Sequence, residues 1–224
     1  MTRAPIVVAA VLALLAARDA GAGVPTDQLR GSIDLVLKIV TDPELKKEAR
    51  TAERRKRIRE VVNQIFDFTE ISQRCLGRHW QARTPAEREQ FIALFGDLLE
   101  NAYITKIESY SGEKIQYPGD VIEGELAIVK TRIVTKQETE IPVDYRMFLK
   151  DGRWAVYDVS IEGISLIGNY RTQFNAVIQR SGYPDLVAKL TAKRDERPGA
   201  REAGRQEAAV PAAAAVPVRA RQSP

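Results

Sequence analysis

The sequence contains only one cysteine and one histidine, Cys75 and His79, among 224 residues. A single cysteine cannot form an internal disulfide bond, and these two residues cannot supply the ligands of a zinc ribbon, an iron–sulfur cluster or a c-type haem. The sequence also lacks a Gly-x-Ser-x-Gly motif, a Walker A loop and a dinucleotide-binding fingerprint. We therefore expect no metal and no cofactor, in a chain long enough to bury a core without cross-links.

Only one apolar run is long, and it lies near the amino terminus. Residues 6–17 are apolar, follow Arg3 and precede small residues at positions 20–22. This order predicts a cleaved secretory signal peptide over residues 1–22, because a membrane span would need about 20 apolar residues. No cysteine stands at the expected cleavage point, so a lipoprotein is not expected. The mature chain is predicted to be soluble and exported, to the periplasm in a diderm bacterium.

The net charge of +4 comes from the two ends of the sequence. Residues 1–22 carry a net charge of +1, and residues 191–224 carry +3. The totals of 34 basic and 30 acidic residues therefore leave 25 of each in residues 23–190, the predicted folded domain. The last 34 residues are rich in alanine, arginine and proline and lack aromatic residues, so we predict a disordered tail. The neutral domain gives no support for nucleic acid as a partner.

Apolar residues at helical spacing predict several helices before residue 112. Residues 26–40 form an amphipathic pattern, Asp42 is the expected N-cap of a second, charged helix, and Thr69 that of a third. The sequence Thr-Pro-Ala-Glu at 84–87 has the form of a capping box and begins a long helix with a broad apolar stripe. The basic run at 54–59 lacks interleaved aromatic residues, so we interpret it as a helix face and not as a nucleic-acid patch.

After Gly112 the apolar period changes from 3.6 residues to two, which predicts about four strands. Short connections, including an Asp-Gly turn within residues 150–153, favour a curved, mainly antiparallel sheet. Helical spacing returns from Ile164 to Arg180, and a last short helix is predicted over residues 184–190. This order predicts an α+β fold with helices on one face of the sheet. Such a layer encloses either an ordinary core or an apolar pocket, and periodicity does not decide between them.

No set of polar side chains singles out a catalytic site. His79 lies near a helix end without a nucleophile motif nearby, so capping or surface hydrogen bonding is the favoured interpretation. Cys75 lies between apolar residues of a helix and is predicted to be buried. Asp144 and Asp158 are the candidates for a general base in a cone-shaped α+β fold. However, Asp144 alternates toward solvent, and Asp158 and Glu162 fit hydrogen bonding in a turn.

One segment has a long and specific pattern where the last long strand meets a helix. Residues 157–171 read Tyr-Asp-Val-Ser-Ile-Glu-Gly-Ile-Ser-Leu-Ile-Gly-Asn-Tyr-Arg, and Phe174 follows. Together with Leu-Gly-Arg-His-Trp at 76–80, this segment resembles the MlaC family, the periplasmic lipid-binding components of the Mla pathway. These proteins are also called toluene-tolerance or ABC-transporter auxiliary proteins. The resemblance covers residues 26–190.

The resemblance implies a non-enzymatic carrier that binds acyl chains between helices and sheet. It implies transport of phospholipid, or of a hopanoid-like lipid, between an outer-membrane lipoprotein complex and an inner-membrane ABC transporter bearing an MCE-domain protein. The predicted pocket walls come from one helix (Phe91, Phe95, Leu98 and Tyr103), the sheet (Val129, Val143, Tyr145 and Met147) and the next long helix (Ile164, Ile167, Tyr170 and Phe174). Arg171 is interpreted either as a phosphate contact or as part of a structural salt bridge.

Two other classes of function stay open at this point. One is an isomerase- or hydratase-like enzyme that uses Asp144 or Asp158 as a base in an apolar pocket. The other is an adaptor that binds only protein. Lipid recovered from the purified protein would distinguish a carrier from both.

Overall fold

The computed structural model describes residues 24–195, which form six helices and five strands. The helices are α1 (Pro25–Thr41), α2 (Thr51–Ile65), α3 (Phe68–Leu76), α4 (Pro85–Glu108), α5 (Leu166–Ser181) and α6 (Tyr183–Asp195). The strands are β1 (Lys114–Glu123), β2 (Leu126–Val134), β3 (Glu140–Lys150), β4 (Arg153–Ile161) and β5 (Ile164–Ser165). The expected signal peptide and the tail beyond Asp195 lie outside the described residues. Between residues 24 and 195, no helix is both long enough and apolar enough to cross a membrane.

The strands form one antiparallel sheet in the order β1-β2-β3-β4-β5, so the predicted α+β class is confirmed. Asp151 and Gly152 have φ angles of 50° and 75°, as the tight turn predicted between β3 and β4 requires. The prediction of about four strands omits β5, which is too short to show alternation. Ile164 was predicted to begin the apolar stripe of α5, and this was wrong, because it lies in β5 and α5 begins at Leu166.

The predicted start of the second helix at Asp42 was also wrong. The Asp42 carboxylate accepts hydrogen bonds from the backbone N–H groups of Glu44 and Leu45, at 2.7 and 3.1 Å. These bonds close only a turn, which a short 3-10 segment at Glu48–Arg50 follows, and α2 begins at Thr51. A side-chain cap satisfies local donors, but a helix continues only where packing supports the next turns.

The beginnings of α3 and α4 show two capping arrangements. Asp67 caps α3 by accepting a hydrogen bond from the N–H of Glu70 at 2.9 Å. The predicted cap, Thr69, was therefore wrong, because it lies two residues later in the chain. At α4 the predicted capping box is confirmed, with the side chains of Thr84 and Glu87 each bonded to the other's backbone N–H. The last helix, α6, ends at Asp195 and not at residue 190, so it includes residues 191–195, which were predicted to belong to the disordered tail.

The buried apolar side chains form three separate clusters. The helical cluster joins α3, α4, α5 and α6, and its aromatic core consists of Phe91, Phe95, Tyr170 and Phe174. The sheet cluster joins α1 and the end of α2 to the strands through Leu29, Ile65, Ala127, Val129, Met147, Trp154 and Val156. A small third cluster joins α1, α2 and α4 through Val40, Ile58 and Ile104. The helix layer and the sheet therefore have separate cores.

Ion pairs tie α2 to α4 on the outside of the molecule. Arg54 and Arg55 both bind the carboxylate of Glu108, at 2.7 and 2.8 Å. Arg59 binds Glu100 at 2.6 Å. Glutamates therefore neutralise much of the basic run, which supports its interpretation as a helix face.

Glutamine in place of Glu108 is expected to lower the free energy of unfolding by about 2 kcal/mol at neutral pH. Partial burial opposes ionisation of this carboxyl, but hydrogen bonds from Arg55 and Arg54 hold its pKa below the ordinary value. A carboxyl with a lowered pKa stabilises the fold above its unfolded pKa, and this stabilisation is lost as the pH falls through the folded pKa. Denaturant unfolding should therefore show the gap between wild type and Glu108→Gln closing as the pH falls from about 6 to about 3.

Glu44→Gln is the matched control for this prediction. The ion pair of Glu44 with Lys47 is largely exposed, so its loss is expected to change the free energy of unfolding by less than about 0.5 kcal/mol. Equal losses of stability in the two variants would contradict a specific role for the α2–α4 ion pairs.

Candidate functional site

The sheet has helices against its margins more than against its centre. Helix α1 lies against β1 and β2, whereas α2, α3 and α5 lie against β4. The long helix α4 packs against α3 and α6. Within residues 24–195, no helix packs extensively against β3. Met147 of β3 packs with Leu29 and Ile65, so the remainder of the helix-facing side of β3 is the candidate position for an interior site.

The register of β2 and β3 defines the side chains on this face. Val129 lies opposite Tyr145, and Thr131 lies opposite Val143. Val129 is fully buried, and Thr131 and Val143 are 2% and 4% exposed. Tyr145, in the middle of this buried row, is only half-buried. The sheet therefore has a partly uncovered tyrosine within an otherwise buried surface.

The structure divides the twelve predicted pocket residues into groups. Five are buried together in the helical cluster: Phe91, Phe95, Ile167, Tyr170 and Phe174. At the margin of that cluster lie two partly buried residues of α4, Leu98 and Tyr103. The sheet cluster contains Val129 and Met147, with Tyr145 packed against it. Val143 is buried but belongs to none of the three clusters of the described residues. Ile164 is 52% exposed and stands apart from the others.

Three tyrosines at the edges of these clusters lie in apolar surroundings. Burial raises the pKa of Tyr145 to about 12, and it also raises the pKa of Tyr103. The pKa of Tyr170 is raised to about 12, mainly by burial and further by Tyr103 and Cys75. Removal from water disfavours the phenolate, so these values indicate neutral hydroxyls in a poorly hydrated interior.

Tyr117 of β1 also belongs to this region, and the sequence analysis did not single it out. Its hydroxyl oxygen is buried and has no hydrogen-bond partner among residues 24–195. The pKa of Tyr117 is raised to about 12 by burial first, and then by Asp34 and Tyr145. Ile115 and Tyr117 alternate in the sequence, but a missing hydrogen bond leaves no trace there.

The carboxylates considered as catalytic bases have structural roles or lie on another face. Asp158 is buried and accepts hydrogen bonds from the hydroxyl of Ser165 at 2.6 Å and from the N–H of Ile167 at 3.1 Å. It therefore joins β4 to the start of α5, as the predicted turn hydrogen bonding required. Asp144 alternates with Val143 and Tyr145 along β3, so its side chain lies on the opposite face of the sheet.

The single thiol and the single imidazole have ordinary environments. Cys75 is 1% exposed, as predicted, and burial raises the pKa of its thiol, so little reactive thiolate forms. A ring nitrogen of His79 lies 2.9 Å from the side-chain oxygen of Asn175, which confirms the predicted hydrogen-bonding role. In the part of the chain that the structure describes, no group of three or more possible ligands is placed to hold a metal ion.

Two clefts open on the outer surface. One, of about 390 Å³, is lined by polar side chains of α3 and by Arg171. Arg171 is exposed there, and among residues 24–195 no acidic side chain forms a salt bridge with it. The other cleft, of about 610 Å³, lies between α2 and α4 and includes Arg55, Arg59 and Glu100. Charged side chains line both clefts.

Known proteins are similar to this chain in sequence and in fold. The MlaC protein family matches residues 30–192. The intermembrane phospholipid transport system binding protein MlaC of Haemophilus influenzae is 25% identical over 138 residues, which are 58% of this chain and 64% of that protein. The chain thus matches less than two thirds of that relative's length.

A solved structure is similar over most of the fold. The phospholipid-binding protein of Ralstonia solanacearum, solved in complex with a phospholipid, is 25% identical with a TM-score of 0.67. The similarity covers 77% of this chain and 97% of that protein. With the family match extending from α1 to α6, the chain belongs to the MlaC family.

Proposed function

We propose that this chain binds phospholipid, or a related lipid, between the helical cluster and the sheet cluster and carries it between membranes. The observation that carries the proposal is the half-buried Tyr145 within a buried strand surface that no helix of residues 24–195 covers extensively. A folded protein fills its interior closely, so an apolar face left partly uncovered between two cores is suited to a ligand. The phospholipid in the similar Ralstonia solanacearum protein supports this choice of ligand.

The proposed lining follows the predicted residues, apart from Ile164. Residues at the margins of the clusters contact the acyl chains directly: Leu98, Tyr103, Val143 and Tyr145. The buried residues behind them form the walls: Phe91, Phe95, Val129, Met147, Ile167, Tyr170 and Phe174. Ile164 is left out because more than half of its surface is exposed.

The energetics of acyl-chain binding fit this lining. Each methylene group moved from water into an apolar site contributes about 0.8 kcal/mol, so two long chains supply a large binding free energy. No catalytic group is needed for such binding. The best-buried carboxylate, Asp158, is already bonded to Ser165 and Ile167, which disfavours the isomerase-like alternative.

We further propose that the chain is exported through a cleaved signal peptide at residues 1–22 and acts in the periplasm. Its proposed partners are an outer-membrane lipoprotein complex and an inner-membrane ABC transporter bearing an MCE-domain protein. The name of the Haemophilus influenzae relative, an intermembrane transport system binding protein, supports this role. Equal numbers of basic and acidic residues in 23–190 limit nonspecific adhesion to anionic membranes during transfer.

A transfer assay between vesicles tests the carrier function. Donor vesicles contain a deuterated phosphatidylethanolamine, and acceptor vesicles are separated from them by a membrane that passes the mature chain only. We expect the chain to increase the appearance of deuterated lipid in the acceptor vesicles well above the spontaneous rate, in proportion to its concentration. A rate equal to that without protein would contradict carriage between membranes.

A further inference from the structure

Two tyrosine hydroxyls lie on the helix-facing side of the sheet, on strands separated only by β2. Tyr145 of β3 pairs with Val129, whose neighbour on the same face of β2 is Thr131. Tyr117 of β1 lies between the pairs Gln116–Arg132 and Gly119–Lys130, where the register shifts opposite Thr131, and Tyr145 influences its pKa. The two tyrosines are therefore diagonal neighbours across β2, on the same side of the sheet.

Neither hydroxyl has a hydrogen-bond partner among residues 24–195. The oxygen of Tyr117 is shielded from solvent and unpaired. Tyr145 makes no side-chain hydrogen bond there either, although it lies in apolar surroundings that raise its pKa to about 12. A buried hydroxyl without a hydrogen-bond partner is destabilising and uncommon in a protein core, which marks Tyr117 as a candidate ligand contact. The hydroxyl of the partly exposed Tyr145 is a second free donor near it.

The position of Tyr117 relates this pair to the outside of the molecule. The guanidinium carbon of Arg30 lies 4.6 Å from the centre of the Tyr117 ring. Arg30 is on the exposed side of α1, and Asp34, one turn further along, influences the hydroxyl of Tyr117. Of the two tyrosines, Tyr117 therefore lies nearer to α1 and Tyr145 lies farther from it along the sheet.

An acyl chain cannot satisfy these hydroxyls, because its methylene groups accept no hydrogen bond. In a diacyl glycerophospholipid, the acceptors nearest the acyl chains are the ester carbonyls that join the chains to glycerol, and the phosphate oxygens lie farther out. Two phenolic donors at the edge of an apolar site match two ester carbonyls at the head of two apolar chains.

We propose that Tyr117 and Tyr145 donate hydrogen bonds to the ester carbonyls of a bound diacyl lipid. This inference rests on the proposed lipid-binding function and narrows its ligand class. The glycerol ester region lies beneath α1, the chains extend away from it into the space between the clusters, and the polar head group leaves the protein beside Arg30. Dialkyl ether lipids, whose ether oxygens are weaker acceptors, and hopanoid hydrocarbons, which have no acceptor, are expected to bind less tightly.

Two lipids of equal chain length, one with ester groups and one with ether groups, test the proposed hydrogen bonds directly. The delipidated mature chain is titrated with diacyl phosphatidylethanolamine and with its dialkyl ether analogue of equal chain length, and the bound fraction of each is measured by native mass spectrometry. Two hydrogen bonds predict that wild type prefers the diacyl lipid by about tenfold or more. The Tyr117→Phe/Tyr145→Phe variant is expected to bind both lipids alike, with its affinity for the ether lipid unchanged.

Tyr183→Phe is the control, because the Tyr183 hydroxyl donates to the carbonyl oxygen of Glu87 in the helical layer at 3.0 Å. It should keep the preference for the diacyl lipid. The thermal midpoint of the delipidated double variant should not fall, since the hydroxyls removed are unpaired in the free protein.

The outcomes separate this inference from the function on which it rests. Binding of both lipids by wild type without preference, or a preference that the double variant retains, overturns the role of the tyrosines and leaves lipid binding in place. Binding of neither lipid overturns both.

Discussion

Tryptophan in place of Leu98 is expected to reduce lipid loading by at least about tenfold while the protein stays folded. Leu98 is half-buried on α4 at the margin of the helical cluster, so a larger side chain can extend into the proposed site. An indole ring displaces the volume of two or more methylene groups, and two such groups contribute about 1.6 kcal/mol of binding free energy, or more than tenfold in affinity. Loading is measured as the ratio of extracted lipid to protein.

The Val143→Trp substitution places a bulky side chain in the same proposed site, on the side formed by the sheet. The Leu35→Trp substitution, on the surface of α1, is the control. Val143 is buried but belongs to none of the three clusters, whereas Leu35 of α1 is 47% exposed. We expect Val143→Trp to reduce loading as Leu98→Trp does, and Leu35→Trp to leave loading unchanged. Normal loading in both site variants would place the lipid elsewhere. Unfolding of both would show that these positions belong to a filled core.

Alanine in place of Phe95 is expected to lower the free energy of unfolding by about 3–5 kcal/mol, the largest stability effect that we predict. Phe95 is fully buried, and its ring centre lies 5.2 Å from that of Tyr170 and 5.3 Å from that of Phe174, both edge-on. Removing the ring leaves a cavity at the centre of the helical cluster. The loss is measured by denaturant unfolding of the lipid-free protein, so that lipid does not contribute.

Phe148→Ala is the matched control for this change. Phe148 is half-buried on β3, and its ring centre is 6.1 Å from that of Tyr157. Its replacement is expected to cost less than half as much as that of Phe95. A loss below about 1 kcal/mol for Phe95→Ala would contradict a packed wall and indicate that this ring borders open space.

Local patterns in the sequence were enough to predict the fold class and several element boundaries. The capping box at Thr84 and the Asp-Gly turn at Asp151 depend on residues close together in the chain, and both are confirmed. Asp67 and Thr69 are both good caps, and which of them begins α3 depends on tertiary packing. Ile164 and Ile167 have helical spacing by coincidence, since Ile164 lies in β5 and α5 begins only at Leu166.

The candidate site was predictable only in part. Periodicity identifies which face of an element is apolar, but it does not tell which faces meet. Phe95 and Val129 were predicted to line one pocket, and periodicity could not show that they belong to two different clusters. The unpaired hydroxyl of Tyr117 results from the absence of a neighbour in three dimensions, which no sequence pattern records.

Mass spectrometry of lipid extracted from the purified protein tests the central claim most directly. The mature chain is isolated from cells without detergent, denatured and extracted with organic solvent, and the lipid is quantified against protein. We predict near-stoichiometric phospholipid or related lipid, and much less from the Leu98→Trp variant prepared in parallel. A clean extract from the wild-type protein would contradict its function as a lipid carrier.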